Sequence, residues 1–124
     1  MIRLHYDDTG YTGVMRPPAN GARCPSSDHS RITVVQAGVA SASDELARAL
    51  APGLGLSVKD DTGGTSQGNS TPAGHPTCLI GSALSTVPVV CIENNLSRVK
   101  DNPAGQDQVA SQIAAGVTAY LNSH

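Results

Sequence analysis

Val87-Pro88-Val89-Val90-Cys91-Ile92-Glu93 is the stretch on which the fold class turns. Its apolar residues stand on consecutive positions instead of alternating with polar ones, the pattern of a strand covered on both faces. Such strands occur in sheets with helices packed on either side. Glu93 then follows a run of residues expected to be buried. A carboxylate placed there is costly unless a cation, a metal or a hydrogen-bond network receives it. In parallel α/β sheets the carboxyl ends of strands are where ligands bind. Glu93 is therefore the first candidate for chemistry, against the plain alternative that the strand leaves for solvent at that point.

Downstream, Asn102-Pro103 is a helix-start signal, and from Gln106 to Leu121 the residues Val109, Ile113, Val117, Tyr120 and Leu121 fall on one stripe. The spacing predicts a C-terminal helix that packs back on the sheet. Upstream, Thr77-Cys78-Leu79-Ile80 is a second apolar run and reads as a strand. Lys59 to Pro76 is Gly, Ser and Thr with almost no apolar residues, so it has nothing to give a core and reads as a flexible connection. Ser41-Ala42-Ser43-Asp44-Glu45 offers capping hydroxyls and first-turn acids ahead of Leu46, Ala47 and Leu50, and Pro52-Gly53 is expected to stop that helix. Ile32-Thr33-Val34-Val35-Gln36 reads equally as a strand or the entry to a helix.

Tyr11 to Arg31, with Pro17-Pro18 and Asn20-Gly21, reads as part of a long surface loop spanning 6 to 31. Loops of that length are uncommon unless functional. Before it, Ile2 to His5 is a short strand running into the turn cluster Tyr6-Asp7-Asp8-Thr9-Gly10. Together these elements predict an α/β fold, a mostly parallel sheet flanked by helices, in a single domain over residues 1–124.

Composition narrows the function. The 124 residues include no Trp, no Phe and three Tyr, so the core must be built from Val, Ile, Leu and Ala. Eight Lys and Arg, scattered through a chain of formal net charge −2, supply no basic stripe, and nucleic acid is not an expected partner. No apolar run approaches the roughly 20 residues needed to cross a bilayer, and Met1 to His5 lacks the layout of a secretion signal. Cys24, Cys78 and Cys91 show no zinc-knuckle spacing. Cys78 and Cys91 sit in apolar runs, where a small buried thiol is the common reading, while a disulfide to Cys24 stays open.

His5 occupies the same kind of place as Glu93, at the exit of a strand before a turn. Neutral imidazole is a common zinc ligand, and a nearby carboxylate that is not a ligand can take a proton from activated water. His29, His75 and His124 lie in polar loops or at the terminus and read as solvated.

These residues resemble the zinc-dependent N-acetylmuramoyl-L-alanine amidases, a family of bacterial peptidoglycan hydrolases. Ile2-Arg3-Leu4-His5 looks like their Ser-Ile-His motif, which carries the last zinc ligand. Val87 to Glu93 looks like their Val-Pro-Ala-Val-Leu-Val-Glu segment, which carries the catalytic glutamate. Ser43-Asp44-Glu45-Leu46-Ala47 matches their Ser-x-x-Leu-Ala helix, and Ile113-Ala114-Ala115-Gly116-Val117 their Ile-Ala-x-x-Ile helix. Each motif is weak alone, and the specificity lies in four of them in the family's order. The resemblance implies His5 as a zinc ligand, Glu93 as the catalytic carboxylate, Zn2+ as cofactor and peptidoglycan as substrate, with a place in the cell envelope or outside the cell.

Departures accompany it. Asn94-Asn95-Leu96-Ser97-Arg98 stands where the family has Gly-Phe-x-Ser-Asn. The family's Asp-Pro-Gly-His-Gly motif and its glutamate ligand lie upstream of the Ser-Ile-His strand, so the resemblance covers the C-terminal part of the amidase domain. A catalytic zinc needs about three protein ligands, and this chain alone is expected to bind it poorly. Two other readings compete. One is a non-catalytic, amidase-like binding module that lacks the metal. The other is a serine esterase fragment with Ser66 in Gly64-Thr65-Ser66-Gln67-Gly68, although that motif lacks the strand and helix a nucleophile elbow requires.

Overall fold

The computed structural model describes residues 1–7, 12–17, 23–25, 32–34, 37–60 and 86–124. In chain order the elements are β1 (Ile2–Asp7), β2 (Gly13–Arg16), β3 (Arg23–Pro25), β4 (Ile32–Val34), α1 (Ala37–Leu54), β5 (Val58–Asp60), β6 (Val90–Asn95), α2 (Leu96–Val99) and α3 (Pro103–Asn122). The class is α/β. One four-stranded sheet has the order β1-β6-β2-β5, and β3 pairs with β4 in a separate antiparallel ribbon.

The expectation of a mostly parallel sheet is corrected: the sheet is mixed. β6 runs parallel to β1, and β5 parallel to β2, but β2 and β6 are antiparallel. The physical reason is β2 itself, which lies inside the stretch read as loop. β1 and β2 run in opposite directions, as the arms of a hairpin would, and β6 is inserted between them. The long-loop reading fails for Tyr6 and Asp7, which continue β1 past His5 by pairing with Asn94 and Asn95, and for β2 and β3; the segments 8–11, 18–22 and 26–31 lie outside the described residues, as does the strand expected at Thr77–Ile80. The flexible connection expected from Lys59 fails for Lys59 and Asp60, which belong to β5; residues 61–76 lie outside the described residues.

β6 is the centre of the packing. Val89, Val90, Cys91 and Ile92 are all buried, as their consecutive apolar positions predicted. Alternation sends them to two sides. Val90 and Ile92 join Val14, Leu46, Leu50, Leu54 and Val109 in the larger core, while Val89 and Cys91 pack with Met15 and Val39. Each fully buried Val, Leu or Ile contributes about 1.5–3 kcal/mol relative to exposure. Ser43, also fully buried, satisfies its hydroxyl by accepting from the Val89 N–H at 2.9 Å, which ties α1 to the strand's start. The strand does not stop at Glu93 but continues to Asn95, whose side chain accepts from the Ser97 N–H and caps α2.

α1 starts at Ala37, ahead of the hydroxyl-rich segment chosen from sequence, because Val39 and Ala40 are buried there. It also runs past Pro52, which sits in the last turn, where losing one N–H costs a single ladder bond. The end is a Schellman closure: Leu56 N–H donates to the Ala51 carbonyl at 3.0 Å and Gly55 N–H to Pro52 at 3.1 Å, with Gly55 at φ +67°. α3 follows the predicted course, with Asn102 accepting from Gly105 N–H at 3.0 Å and Pro103 in the first turn. α1 and α3 cross where buried Gly116 meets Leu50. None of the described helices is long and apolar enough to cross a membrane.

Candidate functional site

Two neighbouring strands build the site. Successive residues of β6 face opposite sides, so Cys91 and Glu93, two apart, share one face. The parallel register sets His5 of β1 beside Glu93 and Arg3 beside Cys91. His5 Nδ1 consequently lies 3.4 Å from Glu93 Oε1, and the Cys91 thiol donates to the same oxygen with Sγ 3.9 Å away. One donor atom from each of His5, Cys91 and Glu93 falls within 4.8 Å of the others.

Exposure is graded across the three. Cys91 is buried at 3% exposure, the Glu93 side chain is 18% exposed and the His5 side chain 36%. The cluster thus has a closed inner end and an outer end that a solute can approach. On its other side Glu93 pairs with Gly13, where a Cβ would meet Lys59 Cδ at 3.0 Å and the Ser57 carbonyl at 3.1 Å. Glycine there leaves space for the Lys59 stem, whose ammonium donates to the Thr12 carbonyl at 2.6 Å.

Nitrogen, sulfur and oxygen donors at these separations could hold a divalent transition-metal ion, and the set is not specific to zinc. Tetrahedral zinc with bonds of about 2.0–2.3 Å needs its ligand atoms closer than the widest of these separations, so binding would draw the side chains slightly together. In chemical terms the arrangement supplies a metal-ligating imidazole, a thiol and a carboxylate able to carry a proton.

His5 and Glu93, singled out separately from sequence, are brought side by side. Cys91 is the small buried thiol its apolar run predicts: it packs with Met15, Val39 and Val89 and is not in a disulfide. The signal for its second role was its two-residue spacing from Glu93 within a strand. His124, expected to be solvated, is exposed but engaged: its ring lies tilted against Tyr120, its Nδ1–H donates to the Tyr120 carbonyl at 2.7 Å, and it pairs with Glu45. Its pKa is raised above 6.5, first by the Tyr120 carbonyl and then by the Glu45 carboxylate. His29, His75, Cys78 and the Gly64–Gly68 motif with Ser66 lie outside the described residues, and so does the Cys24 side chain.

No family model matches the sequence, and no curated protein or solved structure matches it significantly.

Proposed function

We propose that this chain is an amidase-like peptidoglycan hydrolase that cleaves the amide bond between N-acetylmuramic acid and L-alanine of the stem peptide with the help of zinc. The observation that carries the reading is the 3.4 Å approach of His5 and Glu93 on adjacent strands, the pairing that a metal ligand and a proton-transferring carboxylate require. The order of the four sequence motifs supports it. The substrate then places the protein in the cell envelope or outside the cell.

His5 and Cys91 would hold the ion. Zinc supplies, when bound, a Lewis acid that polarises the scissile carbonyl and acidifies water. Glu93 takes the proton of the attacking water and returns it to the leaving amine of L-alanine as the amide bond breaks. His5 serves as a neutral imidazole. Cys91 adds a donor that the sequence reading did not include, while the family's upstream His and Glu ligands have no counterpart among the described residues.

A second reading has one observation in its favour. Cys91 and His5 both lie against the same Glu93 oxygen, as they would if all three were ligands of a closed, non-catalytic metal site. Glu93→Gln separates the two. In the hydrolase, zinc binding survives and cleavage is lost; in the closed site, zinc binding itself collapses.

The test is to incubate the zinc-loaded chain with muramoyl-L-alanyl peptides and follow the freed alanine amine by mass spectrometry. Amine release that depends on zinc and on Glu93 supports the proposal. No release from the zinc-loaded wild type overturns it.

A further inference from the structure

The sheet face opposite Cys91 and Glu93 carries a further feature, whose lining reaches His5 at its edge. Alternation turns Leu4, Tyr6 and Asn94 to that side, with Leu4 beside Ile92 and Tyr6 beside Asn94 in the ladder. There β1, the turn after α2 and the flank of α3 enclose a groove of about 440 Å³. That volume falls among those of small-molecule clefts. Leu4 and Tyr6 are 60% and 65% exposed, so the apolar lining they provide stands open.

His5, Asn94, Lys100 and Gln106 break the apolar lining, and two of them point to a ligand. Asn94 has 3% exposure, and its Oδ1 has no hydrogen-bond partner among the described residues. A buried acceptor left unsatisfied is expensive, and natural structures retain such groups where a ligand or water completes them. Lys100 also lines the groove, and among the described lining residues none is acidic. The positive charge is therefore unopposed along the lining, and it complements an anion.

We propose that this groove binds a small amphipathic acid: a ring-sized apolar body against Leu4, Tyr6, Val109 and Ile113, an N–H donor to Asn94 Oδ1, and a carboxylate toward Lys100. The groove touches the cluster at His5, which lines both, but it takes its contacts from Asn94, Lys100 and the apolar residues and requires no metal, so it does not rest on the hydrolase reading.

Indole-3-propionate carries all three features, and its titration into the whole, chelator-treated chain by two-dimensional NMR tests the proposal. Saturable shifts confined to Tyr6, Asn94, Val99, Lys100 and Ala110 are expected. Asn94→Leu should weaken binding about tenfold, the usual scale for losing one buried hydrogen bond. Should that variant not fold, naphthalene-2-propionate, which lacks the N–H, is expected to bind the wild type about tenfold more weakly. Lys100→Glu should weaken the acid and leave indole-3-propionamide unaffected. Absence of saturable shifts, shifts centred on Cys91 and Glu93, equal binding by Asn94→Leu, or indifference to Lys100→Glu would each overturn it.

Discussion

Gly116→Ala adds one methyl group where the two long helices cross. The new Cβ would stand 2.8 Å from Leu50 Cδ2, 2.9 Å from Leu50 Cα and 3.1 Å from the Ala49 carbonyl. Two of those three atoms are backbone, and Leu50 is fully buried in the main core, so nothing nearby yields cheaply. Alanine in a helix interior gains about 1 kcal/mol over glycine. Overpacking of a core costs about 1–3 kcal/mol, and immovable backbone puts this site in the upper part of that range. The balance is a net loss of about 1–2 kcal/mol. Gly38→Ala makes the same chemical change on α1 with no atom of the described residues within 4 Å, and should gain about 0.4–1 kcal/mol. Urea unfolding followed by circular dichroism measures both variants side by side. A Gly116→Ala protein as stable as the wild type would refute the close packing of α1 on α3.

Three other outcomes follow from the same contacts. Asn102→Ala removes the acceptor for Gly105 N–H and should cost about 0.5–2 kcal/mol in urea unfolding. Because the folded-state pKa of His124 is raised, its stabilising contribution is complete below the ordinary value of 6.5 and disappears as pH rises through the raised one. Thermal melts of wild type and His124→Gln should therefore differ at mildly acidic pH and converge at alkaline pH; a constant gap would contradict the Tyr120 and Glu45 contacts. Glu93→Gln should slow amide cleavage by about 10²–10⁴ in steady-state assays while zinc affinity stays close to that of the wild type.

Much of this arrangement was readable from residues, for reasons that also explain what was not. β6 announced itself because four consecutive buried apolar residues suit few environments other than a two-sided strand. α3 did so because Asn102-Pro103 and the stripe from Val109 to Leu121 agree. β2 was hidden: Val14 and Met15 make too short an apolar signal beside Gly13 and Pro17-Pro18, and their burial comes from insertion of the strand beside β6. Strand direction has no local signature, which is why the antiparallel β2–β6 ladder escaped prediction. α1 begins early because Val39 finds partners in Met15, Val89 and Cys91, a tertiary gain that outweighs poor local propensity at Gly38. His5 and Glu93 were each visible as polar residues next to apolar strands, but their adjacency depended on β1 and β6 being neighbours, a fact of topology. Cys91 escaped because a buried thiol satisfies the core without further explanation.

Calorimetric titration of zinc into the whole reduced chain puts the central idea to its hardest trial, alongside His5→Ala and Cys91→Ala. One ion per chain is predicted, with each substitution weakening it by more than the roughly tenfold cost of losing an outer-shell partner. A wild type that takes up no stoichiometric zinc, or a His5→Ala protein that binds it equally well, would contradict a metal centre shared between β1 and β6.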